Sequence, residues 1–213
     1  MNRREFSIQM LAGAAAAPLA ASARAQGARE PVEGTDYVKL NQPLPVAPGK
    51  IEVIEFFWYG CPHCYAFEPA LDAWQKKLPG DVAFRRVPVA FRPQYEAHQR
   101  IYYALDALGL VPTMHRKVFY AIHGERQHLD KAPDIVAWMQ KNGVDADKFT
   151  QEFNSFSVQS KTRAATKLAE DYKIDGVPAI GVQGRYYTSG SLAGSNEGAL
   201  TVADSLIQRV RKG

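Results

Sequence analysis

The chain has 213 residues, 46% hydrophobic and 23% charged, with 26 Lys and Arg against 22 Asp and Glu. That length suits one medium domain, or one domain carrying an insertion, and no run approaches the ~18 uninterrupted apolar residues of a membrane span. The formal charge of +4 falls to +2 once residues 1–25 are set aside with Arg3, Arg4, Arg24 and Glu5, which leaves no electrostatic case for a nucleic-acid partner.

Those first residues read as a leader. Arg3 and Arg4 form a basic head, residues 8–20 are apolar and alanine-rich, and Ala23-Arg24-Ala25 supplies the small residues of a cleavage site before Gln26. The expectation is a cleaved signal peptide over 1–25 and a periplasmic mature protein. Asn2-Arg3-Arg4-Glu5-Phe6 resembles a twin-arginine signal, and the general secretory route also fits.

Residues 26–50 read as an irregular lead-in, broken by Pro43, Pro45, Pro48 and Gly49. Residues 51–58 are a β-branched and aromatic run, as in a strand buried on both faces. Tyr59 and Gly60 turn the chain. Residues 62–78 repeat apolar side chains at helical spacing through Phe67, Ala70, Leu71 and Trp74, with Pro62 in the first turn where its missing N–H costs nothing. Residues 82–91 look extended. From about 94 to 172 the pattern is helical, punctuated by Pro112, Gly124, Pro133 and Gly143. Two short runs, 178–183 and 185–189, meet at Gly184 as in a hairpin, and a last helix is expected over about 196–211. A crossover between sheet strands needs only about 30 residues. The long helical block therefore predicts an α/β domain interrupted by an inserted helical subdomain.

Only two cysteines are present, Cys61 and Cys64, in Cys61-Pro62-His63-Cys64. A bridge between them closes a loop of about four residues and stabilises by only about 2 kcal/mol, so the pair suits a reagent better than a staple. The thiolate is the attacking species. Cys61, placed just before a helix, faces exposed N–H groups and the positive dipole end, and His63 adds a positive or hydrogen-bonding influence. Both favour the thiolate and make Cys61 a good leaving group. Cys64, one turn further in, suits the resolving role. Zinc would need four ligands, and no second cysteine pair joins His98, His115, His123 and His128, which are expected to be surface or core residues without a catalytic role.

CPHC after a buried strand, Glu55 six residues upstream, a helical insertion and Gly176-Val177-Pro178 together resemble the DsbA family of bacterial disulfide-forming oxidases, from about residue 50 to the end. The resemblance implies a thioredoxin fold, over residues 26–93 and 166–213, interrupted by an all-helical insertion over 94–165. It implies that Cys61 attacks and forms the mixed disulfide, that Cys64 is the buried partner in a redox-active Cys61–Cys64 disulfide with no other cofactor, and that Pro178 carries a cis bond facing the pair. Glu55 then matches the family's buried acid, able to relay the Cys64 proton. Arg86 stands where the family has a lysine and stays charged. Pro62, Val177, Tyr59 and Tyr65 are the residues expected to meet a client, and core packing explains Trp58 equally well.

The implied activity is donation of the disulfide to newly exported, unfolded cysteine-containing proteins, with reoxidation by a membrane quinone-linked partner resembling DsbB. The alternatives are an isomerase or reductase, and a non-enzymatic thiol metal chaperone or peptide-binding module. Family isomerases carry a dimerisation domain ahead of the redox domain. Only about 35 residues separate Gln26 from Cys61, too few for such a domain, and a monomer is expected.

Overall fold

The computed structural model describes residues 29–213; the expected leader and its cleavage site lie outside the described residues. The elements in chain order are strands β1 (Val38–Lys39) and β2 (Ile51–Phe57), helix α1 (Pro62–Gln75) and strand β3 (Val82–Pro88). Five helices follow: α2 (Glu96–Ala107), α3 (Val111–His123), α4 (Ala132–Lys141), α5 (Ala146–Phe153) and α6 (Phe156–Asp171). Strands β4 (Ala179–Val182) and β5 (Tyr186–Ser189), the short α7 (Gly190–Ala193) and α8 (Asn196–Lys212) close the chain.

The strands form one sheet in the order β1-β5-β4-β2-β3. Strand β2 lies inside it, parallel to β3 and antiparallel to β4, which explains its nearly continuous apolar sequence: six of its seven residues are buried. On one face Val53 packs with Phe67 and Leu71 of α1 and Leu206 and Ile207 of α8. On the other, Ile54 and Phe56 meet Ala165 and Ala169 of α6. The inserted helices form their own core from Ile101, Leu105, Met114, Val118, Phe119, Ile135, Met139 and Phe149, and this core runs into Phe57, Tyr59 and the two cysteines at the tip of β2. No boundary gap separates the insertion from the redox motif.

Local chemistry accounts for the junctions. Asp145, Ser155 and Ser195 each accept a backbone N–H at the start of α5, α6 and α8. The three-residue β4–β5 connection turns on Gln183 and Gly184, both at positive φ (52° and 60°), and is closed by the Arg185 N–H donating to the Val182 carbonyl at 3.0 Å. The lead-in is less irregular than its prolines suggest: Val38 and Lys39 pair with β5 as an edge strand, too short to leave a periodic signature. Helix α6 runs through the expected 165/166 boundary and packs its C-terminal half on the sheet.

Candidate active site

The first helix begins at the cysteine pair. Cys61 is the N-cap of α1, in extended conformation with Pro62 next, and no side chain caps the free N–H groups of the first turn. Cys61 is 7% exposed and Cys64 fully buried, both as free thiols. The Cys61 thiol, ordinarily near 9, is held at about 6. The strongest influence is the hydrogen bond from the Cys64 thiol. Burial opposes it, and the N–H groups of Cys64 and His63 and the charge of His63 add to it. Cys64 moves the other way: burial, then the hydrogen bond to Cys61, hold its thiol well above the usual value. Two cysteines one turn apart are thus driven in opposite directions, by their mutual hydrogen bond and by the deeper burial of Cys64.

Val177 and Pro178 are joined by a cis bond, and the Cys61 thiol donates to the Val177 carbonyl at 3.3 Å. His63 is exposed and lines a groove of about 670 Å³ with Val177, Pro178, Ser189, Leu192 and Asn196. Pro62 is exposed, and Tyr65 and Val177 are half-buried at the same end of the molecule. Tyr59 is not part of that surface. Its side chain is fully buried because it continues from the tip of β2 into the core of the inserted helices, against Phe57 and Phe119. The expectation that it meets a client is corrected accordingly.

Beneath α1 lies a buried ionic cluster. The parallel register sets Glu55 beside Arg86, and Arg86 Nε donates to Glu55 Oε2 at 2.8 Å. The same guanidinium reaches Gln75 at 3.3 Å, Asp72 at 3.2 Å and Glu68 at 3.4 Å. Glu55 is completely buried, and its Oε1 has no hydrogen-bond partner. Burial is the dominant influence on its acid, which is pushed up to about 8 against the pull of Arg86. The carboxylate does not escape to a sheet edge, since β2 has a neighbour on each side. Glu68, also buried, was not anticipated from sequence, where it reads as one more polar residue of an amphipathic helix.

The helical insertion contributes two histidines. His115 Nε2 lies 3.3 Å from Glu68 Oε1, and its Nδ1 lies 2.8 Å from the Tyr59 hydroxyl. His123 Nε2 donates to the Tyr59 carbonyl at 2.8 Å, and its ring stacks on Tyr65 at 5.1 Å. His98 is buried against Trp58, and His128 is exposed. Among the described residues no group of three or more His, Cys, Asp and Glu side chains is placed to hold a metal ion.

Comparison with known proteins agrees with this geometry. The family described as a DSBA-like thioredoxin domain matches residues 52–197. The thiol:disulfide interchange protein DsbA of Bordetella parapertussis is 46% identical over 216 residues, covering 100% of both chains. That of Burkholderia cepacia is 44% identical over 183 residues, 85% of this chain and 86% of the relative. The crystal structure of Pseudomonas aeruginosa DsbA superimposes with a TM-score of 0.83 at 41% identity, covering 87% of this chain and 97% of that one.

Proposed function

The chain belongs to the DsbA family, and on that premise we propose how its residues introduce disulfide bonds into cysteine-containing chains. It is a thiol:disulfide oxidoreductase with a DsbA-like thioredoxin fold. In the oxidised protein a client thiolate attacks Cys61 Sγ. The Cys61–Cys64 bond breaks, a client–Cys61 disulfide forms, and the Cys64 thiolate leaves and takes a proton from Glu55. A second client thiolate then attacks the client sulfur of the mixed disulfide. The client gains its disulfide and loses two electrons, and Cys61 departs as the thiolate that the α1 terminus stabilises.

The observation that carries this reading is the opposed behaviour of the two thiols: Cys61 near the surface at about 6, Cys64 buried and well above its ordinary value. A thiolate stabilised to that extent favours the dithiol state, and the disulfide is readily given away. Val177, Pro178, Pro62 and Tyr65 supply the surface against which a client segment lies. The groove lined by His63 and Leu192 extends it. The working compartment is the periplasm, the resident redox group is the Cys61–Cys64 disulfide alone, and a quinone-linked membrane protein resembling DsbB returns the electrons. The protein acts as a monomer on newly exported chains.

Non-reducing gels of two variants test the roles. Cys64→Ala should trap mixed disulfides with a disulfide-bonded client, since the Cys61 thiolate opens the client disulfide and nothing resolves the product, while Cys61→Ala should trap none. Trapping by the Cys61 variant alone would reverse the assignment.

A further inference from the structure

The cluster beneath α1 holds more acid than base. Its one buried cation, Arg86, faces Glu55 and Glu68, both buried, and Asp72, which is 22% exposed and has Arg116 at 3.8 Å on its outer side. A low-dielectric site with one guanidinium holds one of the two buried carboxylates as an anion far more readily than both. By distance to Arg86 the anion belongs on Glu55, at 2.8 Å against 3.4 Å for Glu68. Yet the proposed chemistry needs the proton on Glu55, so some other group must reverse that order.

His115 is placed to do so. Tyr59 is buried with its phenol held well above the ordinary value by that burial, so it keeps its proton, and its hydroxyl lies 2.8 Å from His115 Nδ1, in place to donate to it. Burial likewise keeps the imidazole neutral. A neutral ring that accepts at Nδ1 carries its hydrogen on Nε2, and Nε2 points at Glu68 Oε1, 3.3 Å away. Tyr59, His115 and Glu68 thus form a directed hydroxyl–imidazole–carboxylate chain. Its polarity gives Glu68 a second donor, whereas Glu55 Oε1 has none. The charged or titratable groups facing the ring are Tyr59 beyond β2, Glu68 and Asp72 on α1, Arg86 on β3 and Tyr102 on α2, with Arg116 on its own helix.

We propose that His115, a residue of the inserted helices, is a positioning residue of the redox centre: donating Nε2–H to Glu68, it makes Glu68 the ionised partner of Arg86 and leaves the exchangeable proton on Glu55. The inference rests on the reading of Glu55 as proton relay and adds what sets that relay. The step it controls is a proton transfer without electron transfer: Cys64 thiolate and Glu55 carboxylic acid become Cys64 thiol and Glu55 carboxylate, and the reverse on reoxidation. Burial pushes the Glu68 acid up, yet the His115 hydrogen bond and the Arg86 charge hold it below the usual carboxylate range, in keeping with this division.

The test is a ¹³C-carboxyl NMR titration of the reduced full-length protein, combined with the pH dependence of disulfide transfer to a dithiol peptide. The side-chain nitrogen of Gln reaches the place of Nε2, and that of Asn only the place of Nδ1. His115→Asn should therefore move the Glu55 midpoint acidward by about one pH unit, a tenfold change for one lost hydrogen bond to a charged group. His115→Gln should restore the wild-type midpoint. Glu68→Gln, which keeps the packing should His115→Asn fail to fold, should move Glu55 the same way. A Glu55 midpoint that stays put in both His115→Asn and Glu68→Gln overturns the inference, as does a shift in His115→Gln equal to that in His115→Asn. The relay reading is separated by Glu55→Gln: loss of the basic break in the pH–rate profile supports it, and a persisting break removes it and the inference with it.

Discussion

Oxidising the pair removes the Cys61 thiolate, and with it whatever that thiolate contributes to folding. Its folded value of about 6 lies below the ordinary 9.0, so the contribution is fully present above pH 9, shrinks as the pH falls, and is gone below the folded value. Each pH unit corresponds to about 1.4 kcal/mol, and pH 7 is about one unit above the folded value. Solvent that still reaches the 7%-exposed Cys61 screens part of the effect, leaving about 1 kcal/mol at neutral pH. Groups whose surroundings do not change with redox state cancel in the difference. Urea melts of the reduced and oxidised proteins, run side by side at several pH values, measure it. The reduced form should lose about 1 kcal/mol relative to the oxidised form between pH 7 and pH 5, and gain as the pH rises toward 9. A difference that is flat, or that widens on acidification, would refute the thiolate as its source.

Two further outcomes follow from the site. Cys64→Ala should raise the Cys61 pKa more than His63→Ala does, since the Cys64 hydrogen bond is the strongest influence and the His63 charge the weakest of those named; thiolate ultraviolet absorbance against pH reads both, and the opposite order contradicts it. Arg86→Met leaves two buried carboxylates without their cation and should cost about 3–5 kcal/mol in urea melts, where a loss under about 1 kcal/mol would show that the cluster is already neutral.

What the sequence disclosed and what it hid divide along one physical line. Strand β2 and the start of α1 were legible because one is a β-branched and aromatic run broken only by Glu52 and Glu55 and the other opens with proline, both local signals. The helical insertion was legible from periodicity. Glu55 and Arg86 could be named only through the resemblance to the DsbA family, since nothing in the local pattern shows that the two strands pair them. The rest depends on approach across the chain. Glu68 and His115 are 47 positions apart and meet only because α3 packs on α1 beside the tip of β2. Nothing in the spacing of His98, His115, His123 and His128 marks two of them as reaching Tyr59. Tyr59 itself reads as a surface aromatic beside the motif, and only the inward turn of the chain before Cys61 shows that its hydroxyl faces the core. Strand β1 and helix α7 are too short for any period to be read.

The thiolate at the α1 terminus should make the Cys61–Cys64 disulfide an oxidant, and equilibration of the purified protein with glutathione redox buffers at pH 7 measures this directly. The expected reduction potential is clearly more oxidising than the roughly −270 mV of thioredoxin; a potential at or below that value would contradict disulfide donation and assign the pair to reductase work.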